Sequence, residues 1–373
     1  MQKWIVFVVV GVLGVLVLVG CQAAGQPPAT PAAGGTPAVI DEVCGDRSRL
    51  ASTLHFYNWS LYMDDAILES FEERCGVTVV QDTFASNEDL LAKLQAGASG
   101  YDLIVPSDYM ITIMRELDLL ATLDYANIPN FANIDDRFKK PPFDPEQQVT
   151  IPYQWGTSGI AYDTTRVTEP IDSWQAIFDP ARACQYPGLS LLNDPREVFG
   201  AALKWKGYSL NDTDPTHLAE AQQAVMAIKD CVTTFDSESF ADILLNGEVA
   251  VGHGWSGQYA KAMEENSDLA YVVPKEGSVI WVDNMAVPKD APDQYTAEIF
   301  MNYLLRPEIG AQLTNYTYYA SPNAAARPLI DPEISNNTSI FPPTEVMDKL
   351  EFIRDVGDAT PRIEQMWTEV KSQ

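Results

Sequence analysis

The sequence predicts an α/β protein of two lobes joined by two extended crossings, with a cleft between them that hinge motion can open and close. Three observations carry this. From Ser52 onward, strand-like and helix-like segments alternate. The runs 151–162 and 274–288 read as extended passages between two such series. The 373 residues are enough for two cores rather than one. Strands alternating with helices of this length argue for parallel sheet covered on both faces.

At the start, Lys3, the apolar run Trp4 to Val19 and then Leu18-Val19-Gly20-Cys21 read as a lipoprotein signal peptide over 1–20, cleaved before Cys21, whose sulfur would take lipid. A single membrane anchor is the alternative, but the run is short for a span. Residues 21–50 read as a flexible tether, rich in Ala, Pro, Gly and Thr as far as Ala38. Four cysteines follow: Cys44, Cys75, Cys184 and Cys231. An even number in an exported body suggests two disulfides with three possible connectivities. Cys44 and Cys75 precede neighbouring strands and could be joined, leaving Cys184 with Cys231.

In the body, Leu54 to Trp59 reads as a strand. Asp64 or Asp65 can cap a helix with Ile67, Leu68, Phe71 and Cys75 on one face, stopped by Gly76. Val77 to Thr83 is the next strand. Ser86 to Asp89 opens a second helix stopped at Gly97, and Tyr101 to Pro106 is a third strand before a helix through Leu117. The stretch from Ile151 carries the chain out, with Gly156 and Gly159 at the crossing. The second series reads as helix Ser173 to Phe178, strand Leu189 to Leu192, helices Asp194 to Lys206 and Leu218 to Lys229, strand Cys231 to Phe235, helix Ser239 to Asn246 and strand Val249 to Gly252. After the return at 274–288, Thr296 to Leu305 and Pro307 to Tyr316 look helical. The lobes are thus expected at 51–160 with 282–327 and at 161–281 with 328–373.

Ligand groups in open α/β sheets gather beyond the carboxyl ends of strands. The candidates there are Trp59, Ser60 and Tyr62; Ser107 and Tyr109; Asp194 and Glu197; Trp255; Tyr319; and Trp281 with Asp283, which strand alternation puts on one face. Each has a bland reading. Rings can be local clusters, Ser107 or Asp108 suits a helix cap, and Asp194-Pro195-Arg196-Glu197 is a capping box with proline at the first helical position. Together, however, they form a set of rings and carboxylates that no basic residue joins except Arg196. Rings stack on methylenes and face cations, and carboxylates supply charge-assisted hydrogen bonds. This describes a box for a chain of ammonium groups separated by methylenes. The 52 acidic against 24 basic residues, a net charge of −28, point the same way and repel nucleic acid.

With these residues in view, the chain resembles the periplasmic polyamine-binding proteins of ABC importers, the spermidine/putrescine-preferential kind, over essentially all of 52–360. The likeness runs through Tyr57-Asn58-Trp59-Ser60, Tyr101-Asp-Leu-Ile-Val-Pro-Ser107, Ile151-Pro-Tyr-Gln-Trp-Gly156, Asp194-Pro-Arg-Glu-Val-Phe199, Gly247-Glu-Val, Pro274-Lys-Glu-Gly277, Trp281-Val-Asp283, Leu304-Leu-Arg-Pro307 and Ser321-Pro-Asn323. It implies the two-lobed periplasmic-binding-protein fold of type II, each lobe a central mixed sheet flanked by helices, with two crossover strands as hinge. It implies capture of spermidine or putrescine and delivery to ABC permease subunits by a protein lipid-anchored outside the cytoplasm, in the periplasmic space or on the outer face of the cytoplasmic membrane. No cofactor or metal is expected.

The resemblance assigns ligand contacts to Trp59, Ser60, Tyr62, Ser107, Tyr109, Asp194, Glu197, Trp255, Trp281, Asp283 and Tyr319, overriding the capping-box reading. Two positions depart from it. Family members commonly carry an acidic residue at Leu61 and a glutamine at Ile353. Losing an anion and an amide weakens recognition of one ligand end, for which Asp236, Ser237 or Glu238 could compensate.

Catalysis is not expected. Only His55, His217 and His253 are available as imidazole bases, and no Gly-x-Ser-x-Gly, phosphate loop, zinc or calcium motif appears. The rival ligands on the same scaffold are ferric iron, because Tyr318 and Tyr319 resemble the tyrosine pair of ferric-ion binders, and a sugar stacked on tryptophan. Three clustered carboxylates suit charge better than hydroxyls.

Overall fold

A computed structural model describes residues 40–84, 86–97 and 100–372. The signal peptide, Cys21 and the tether as far as residue 39 lie outside the described residues. The tether expected over 21–50 ends earlier than that. Ile40–Asp41 pairs antiparallel with Gly45–Asp46, and Asp41 Oδ1 accepts from the amides of Val43 and Cys44, closing the turn between them. Val43 and Cys44 are buried, and Cys44 is joined to Cys75.

In the first lobe β1 (Thr53–Trp59) lies between β2 (Thr78–Phe84) and β3 (Leu103–Ile104), both parallel to it. Helix α1 (Asp65–Cys75) is capped by Asp64, which accepts from the Ala66 amide at 3.0 Å, and ends at Gly76, whose φ of 72° is the left-handed turn glycine permits. Its buried face is Ile67, Leu68, Phe71 and Cys75, as the spacing required. Helix α2 (Asn87–Gln95) is capped by Ser86. Helix α3 (Asp108–Glu116) follows β3. Two expectations change. The strand read over 101–106 shrinks to two residues, partly because the Asp102 carboxylate takes the His55 amide at 2.8 Å where a neighbouring strand would. The cover expected on both faces holds over the central strand, where Phe56, Tyr57 and Asn58 of β1 are all buried, but not at the edge, where Thr78, Val80, Asp82 and Thr83 of β2 are exposed.

The second lobe is built on β4 (Ile151–Asp163). With β5 (Leu189–Leu191), β6 (Thr234–Phe235), β7 (Val251–Trp255) and β8 (Leu269–Val272) it forms a mixed sheet in the order β8-β4-β7-β5-β6. Helices α4 (Pro195–Lys206) and α5 (Pro215–Ile228) bury Val198, Phe199, Leu218 and Val225 against Leu189 and Leu191. Cys184 is joined to Cys231, which sits in a 3-10 turn rather than in the strand read from 231 to 235. The strand expected at 249–252 instead runs over 251–255, because residues 158–162 of β4 pair with it throughout, from Ser158 opposite Trp255 to Tyr162 opposite Val251. Trp255 therefore ends a strand rather than following one.

The return crossing is β9 (Ile280–Met285). It pairs antiparallel with β4, with Trp281 opposite Gly156 and Asp283 opposite Gln154. A bulge falls between Asp283 and Asn284, where β4 carries Pro152 and has no amide to give. Just beyond its end, Ala286 bridges to Ile104 of β3, so β9 touches the sheets of both lobes. Ile330, Ile334 and Ile340, assigned above to the second lobe, pack in the first core, and the second core gains Ile363, Met366, Trp367 and Val370 from the C-terminal helix Thr360–Ser372.

The Cys44–Cys75 bond spans a sequence separation of 31 residues and constrains the unfolded chain accordingly. Replacing both residues by serine is expected to cost about 2–4 kcal/mol in a urea titration. An unchanged midpoint would show that the hairpin holds without the bond.

Candidate functional site

A cavity is walled by the segments that follow β1, β3 and β5, by the end of β7 and by β9. All twelve side chains singled out in the sequence line it: Trp59, Ser60, Tyr62, Ser107, Tyr109, Asp194, Glu197, Ser237, Trp255, Trp281, Asp283 and Tyr319. Leu61 and Ile353, the two departures, line it as well.

Asp283 is 5 % exposed. Its Oδ1 accepts from Ser107 Oγ and its Oδ2 from Tyr62 Oη, both at 2.7 Å. Ser107 is itself fixed by Asn87, whose side chain both donates to Ser107 Oγ and accepts from the Ser107 amide, each at 3.0 Å. Ser107 thus occupies the cap position of α3 without capping it. Burial pushes the Asp283 carboxyl up to about 6, against the pull of these two hydroxyls.

Across the cavity, Asp194 does cap α4, accepting from the amides of Arg196 and Glu197 at 2.8 and 3.1 Å. The capping box is only half made. Glu197 does not reach back; its Oε1 accepts from Ser158 Oγ at 2.9 Å and Trp255 Nε1 at 3.0 Å. Burial and then the neighbouring Asp194 push Glu197 up to about 8, and burial raises Asp194 too. The Arg196 charge relieves both only in part. Arg196 turns away, donating to Asn211 Oδ1 and the Arg354 carbonyl. His253 stands behind Glu197, Nε2 3.9 Å from Oε2, but burial pulls its imidazole down to about 3 and leaves it neutral. Among the described residues that line the cavity there is no lysine, arginine or histidine.

The rings form a connected wall. Tyr62 and Tyr319 meet edge-to-face at 5.1 Å between centroids, and Tyr319 and Trp281 at 5.2 Å. The Trp281 indole lies over Gly156, where an added Cβ would stand 2.6 Å from its Cζ2. Gly257 leaves comparable room for Tyr319. Trp59 is held by Nε1 donating to the Val105 carbonyl at 2.9 Å, and Tyr109 by its hydroxyl donating to Glu88. Ser60 sits exposed at the rim. Ser237 faces the cavity while its Oγ accepts from the Asn193 amide, and Glu238 lines the cavity beside it. Asp236 does not join them; it turns back to cap the amides of Glu238 and Ser239. The tyrosine pair divides, since Tyr318 closes the helix Pro307–Thr317 in a left-handed conformation and only Tyr319 lines the cavity.

Sequence reasoning missed Asn87, Gln258, Asp108 and Phe84 as lining residues. Nothing in the sequence marks the first two. Asp108 was visible beyond the third strand but was explained as a helix cap.

Residues 66–342 match the model of the bacterial extracellular solute-binding proteins. The spermidine/putrescine-binding periplasmic protein of Salmonella typhimurium is 35% identical over 323 residues, 86% of this chain and 92% of its own length. The putrescine-binding periplasmic protein SpuD of Pseudomonas aeruginosa is 37% identical over 336 residues, again 86% and 92%. Among solved structures, a putative spermidine/putrescine ABC transporter from Listeria monocytogenes superposes with a TM-score of 0.82 at 35% identity, covering 86% of this chain and 99% of that one. These relatives and the two hinged sheets agree on the two-lobed periplasmic binding-protein fold. The chain belongs to the bacterial extracellular solute-binding protein family.

Proposed function

We propose that this protein captures a polyamine, spermidine or putrescine, between its lobes and presents it to the permease of an ABC importer, held at the membrane by lipid on Cys21. The observation that carries the reading is a ring-walled cavity in which Glu197 and Asp283 are buried and Asp194 is half-buried, with no cation among the residues that line it. Ammonium groups supply the missing charge, and the indoles and phenols receive the methylenes between them. The relatives named for spermidine and putrescine support the same ligand class.

Calorimetry on the purified protein is expected to show saturable binding of spermidine or putrescine with quenching of tryptophan fluorescence. Absence of heat with every polyamine, with tight binding of ferric iron or a sugar, would overturn the reading. Asp283→Asn should cost about 3–5 kcal/mol of binding, because it removes one partner of a desolvated charge pair. Ser60→Ala, at the exposed rim, should cost about 0.5–1.5 kcal/mol. Equal losses would contradict these roles.

The raised carboxyls also set the sign of the pH dependence. A bound cation favours their ionised forms, so binding expels protons from Asp283 below about 6 and from Glu197 below about 8. Affinity should therefore climb from roughly pH 5 to pH 8. Without ligand the sign reverses. These carboxyls sit above their ordinary values of 3.8 and 4.5, so the stability they contribute is present in acid and lost as pH rises through about 6 and about 8. Glu197→Gln is expected to abolish binding while raising the ligand-free melting temperature in mild alkali. A lower melting temperature there would show that the charge is compensated.

A further inference from the structure

Of the three histidines in the chain only His253 is buried, and neither of its ring nitrogens meets a hydrogen-bond partner among the described residues. Glu197 carries the matching gap. Its Oε1 is occupied by Ser158 and Trp255, whereas Oε2 is buried, accepts nothing and lies 3.9 Å from His253 Nε2. That is about 1 Å beyond hydrogen-bond length, a gap that a small turn of the carboxyl closes. Buried polar atoms left open are costly, and here two of complementary capacity lie side by side.

The sheet sets up this meeting. His253 and Trp255 are two apart on β7, so their side chains leave the same face, and one strand serves both oxygens of one carboxylate, Trp255 at Oε1 and His253 beside Oε2. The imidazole packs edge-to-face on Trp174 at 5.3 Å between centroids, and Trp174 is itself held by Nε1 donating to the Gly277 carbonyl. The other ionisable groups that act on Glu197 are Asp194 and Arg196 of its own helix, Tyr271 of β8 and Asp108 of α3, and none of them bonds to Oε2. Burial keeps the imidazole neutral, so it has one N–H to give and one bare nitrogen. Which nitrogen carries the proton follows from its neighbour. A protonated Glu197 offers O–H to a bare Nε2, whereas an ionised Glu197 can only accept and calls for Nε2–H.

We propose that His253 is a positioning residue for Glu197, accepting at Nε2 from the protonated carboxyl in the ligand-free protein and donating Nε2–H to Oε2 once a bound cation has ionised it. This rests on the polyamine reading above. The Glu197 proton leaves for solvent, and the imidazole trades Nδ1–H for Nε2–H with no change of charge. His253 does not line the cavity, so the carboxylate gains a third donor from behind, and a neutral one that does not repel the ligand.

The test combines nitrogen NMR of histidine-labelled full-length protein near pH 7, with and without spermidine, and calorimetry on the wild type, His253→Leu and His253→Gln, whose amide can replace the Nε2–H donor. Spermidine should convert His253 from the Nδ1–H to the Nε2–H tautomer. Affinity should fall about tenfold in His253→Leu and less than about threefold in His253→Gln. The rise of affinity with pH should move up by about one unit in His253→Leu alone. An unconverted tautomer, equal losses in the two variants or no loss in either would overturn the proposal and leave His253 a packing residue. Should the variants fail to fold, the wild-type spectrum decides. A wild type that binds neither spermidine nor putrescine fails the polyamine reading itself, an outcome distinct from all of these.

Discussion

The pairing of β9 on β4 is the constraint on which the cavity depends. One register sets Trp281 against Gly156, where only the absence of a side chain lets the indole lie down, and sets Asp283 two residues on, on the same face. The same β4, further along, holds Ser158 opposite Trp255 and offers Ser158 Oγ to Glu197. A slip of one residue would turn Trp281 and Asp283 away from the cavity and leave Tyr62 and Ser107 without their acceptor. Because both strands also touch both lobes, they are the natural hinge, and the rings and acids nearest them are the ones a closing motion disturbs least.

Around this frame the protein keeps acids where water is scarce and no cation lines the cavity. Asp283 and Glu197 are each given two hydrogen-bond donors, enough to orient them but not to neutralise them, so burial still raises both. Such an arrangement opposes stability in the ligand-free protein. It makes sense only if a cation completes it, which is the physical core of the proposed function: the field left unbalanced in the folded chain is what a polyamine would balance. His253 and Arg196 show the economy of the design. Both lie near Glu197, yet His253 is kept neutral and Arg196, whose charge lowers Asp194 and Glu197 only in part, spends its hydrogen bonds on Arg354 and Asn211.

Much of this was legible in the residues. The α1 face and its Gly76 stop follow from the residue pattern alone, as does the shared face of Trp281 and Asp283, whereas the cap stayed open between Asp64 and Asp65 until the fold chose Asp64. The failures are equally particular. Local grammar read Glu197 as the returning arm of a capping box, but Ser158 and Trp255, distant in sequence, offered it better donors. The same grammar explained Asp108 away as a cap, while the resemblance offered Asp236 beside the ligand, where it is instead spent on its own turn. Residues 328–341 carried no mark of the lobe they join.

The sequence by itself determined the alternation of strands and helices, the helix stops, the acidic and aromatic character of the strand ends and, through resemblance, the family, because these depend on local periodicity and residue chemistry. Only the tertiary structure decided which carboxylates lose their solvent and which keep a partner, because desolvation and long-range hydrogen bonding are properties of where segments hundreds of residues apart come to rest. Tyr62 reaching Asp283 across 221 positions is such a case, and no window along the chain contains it.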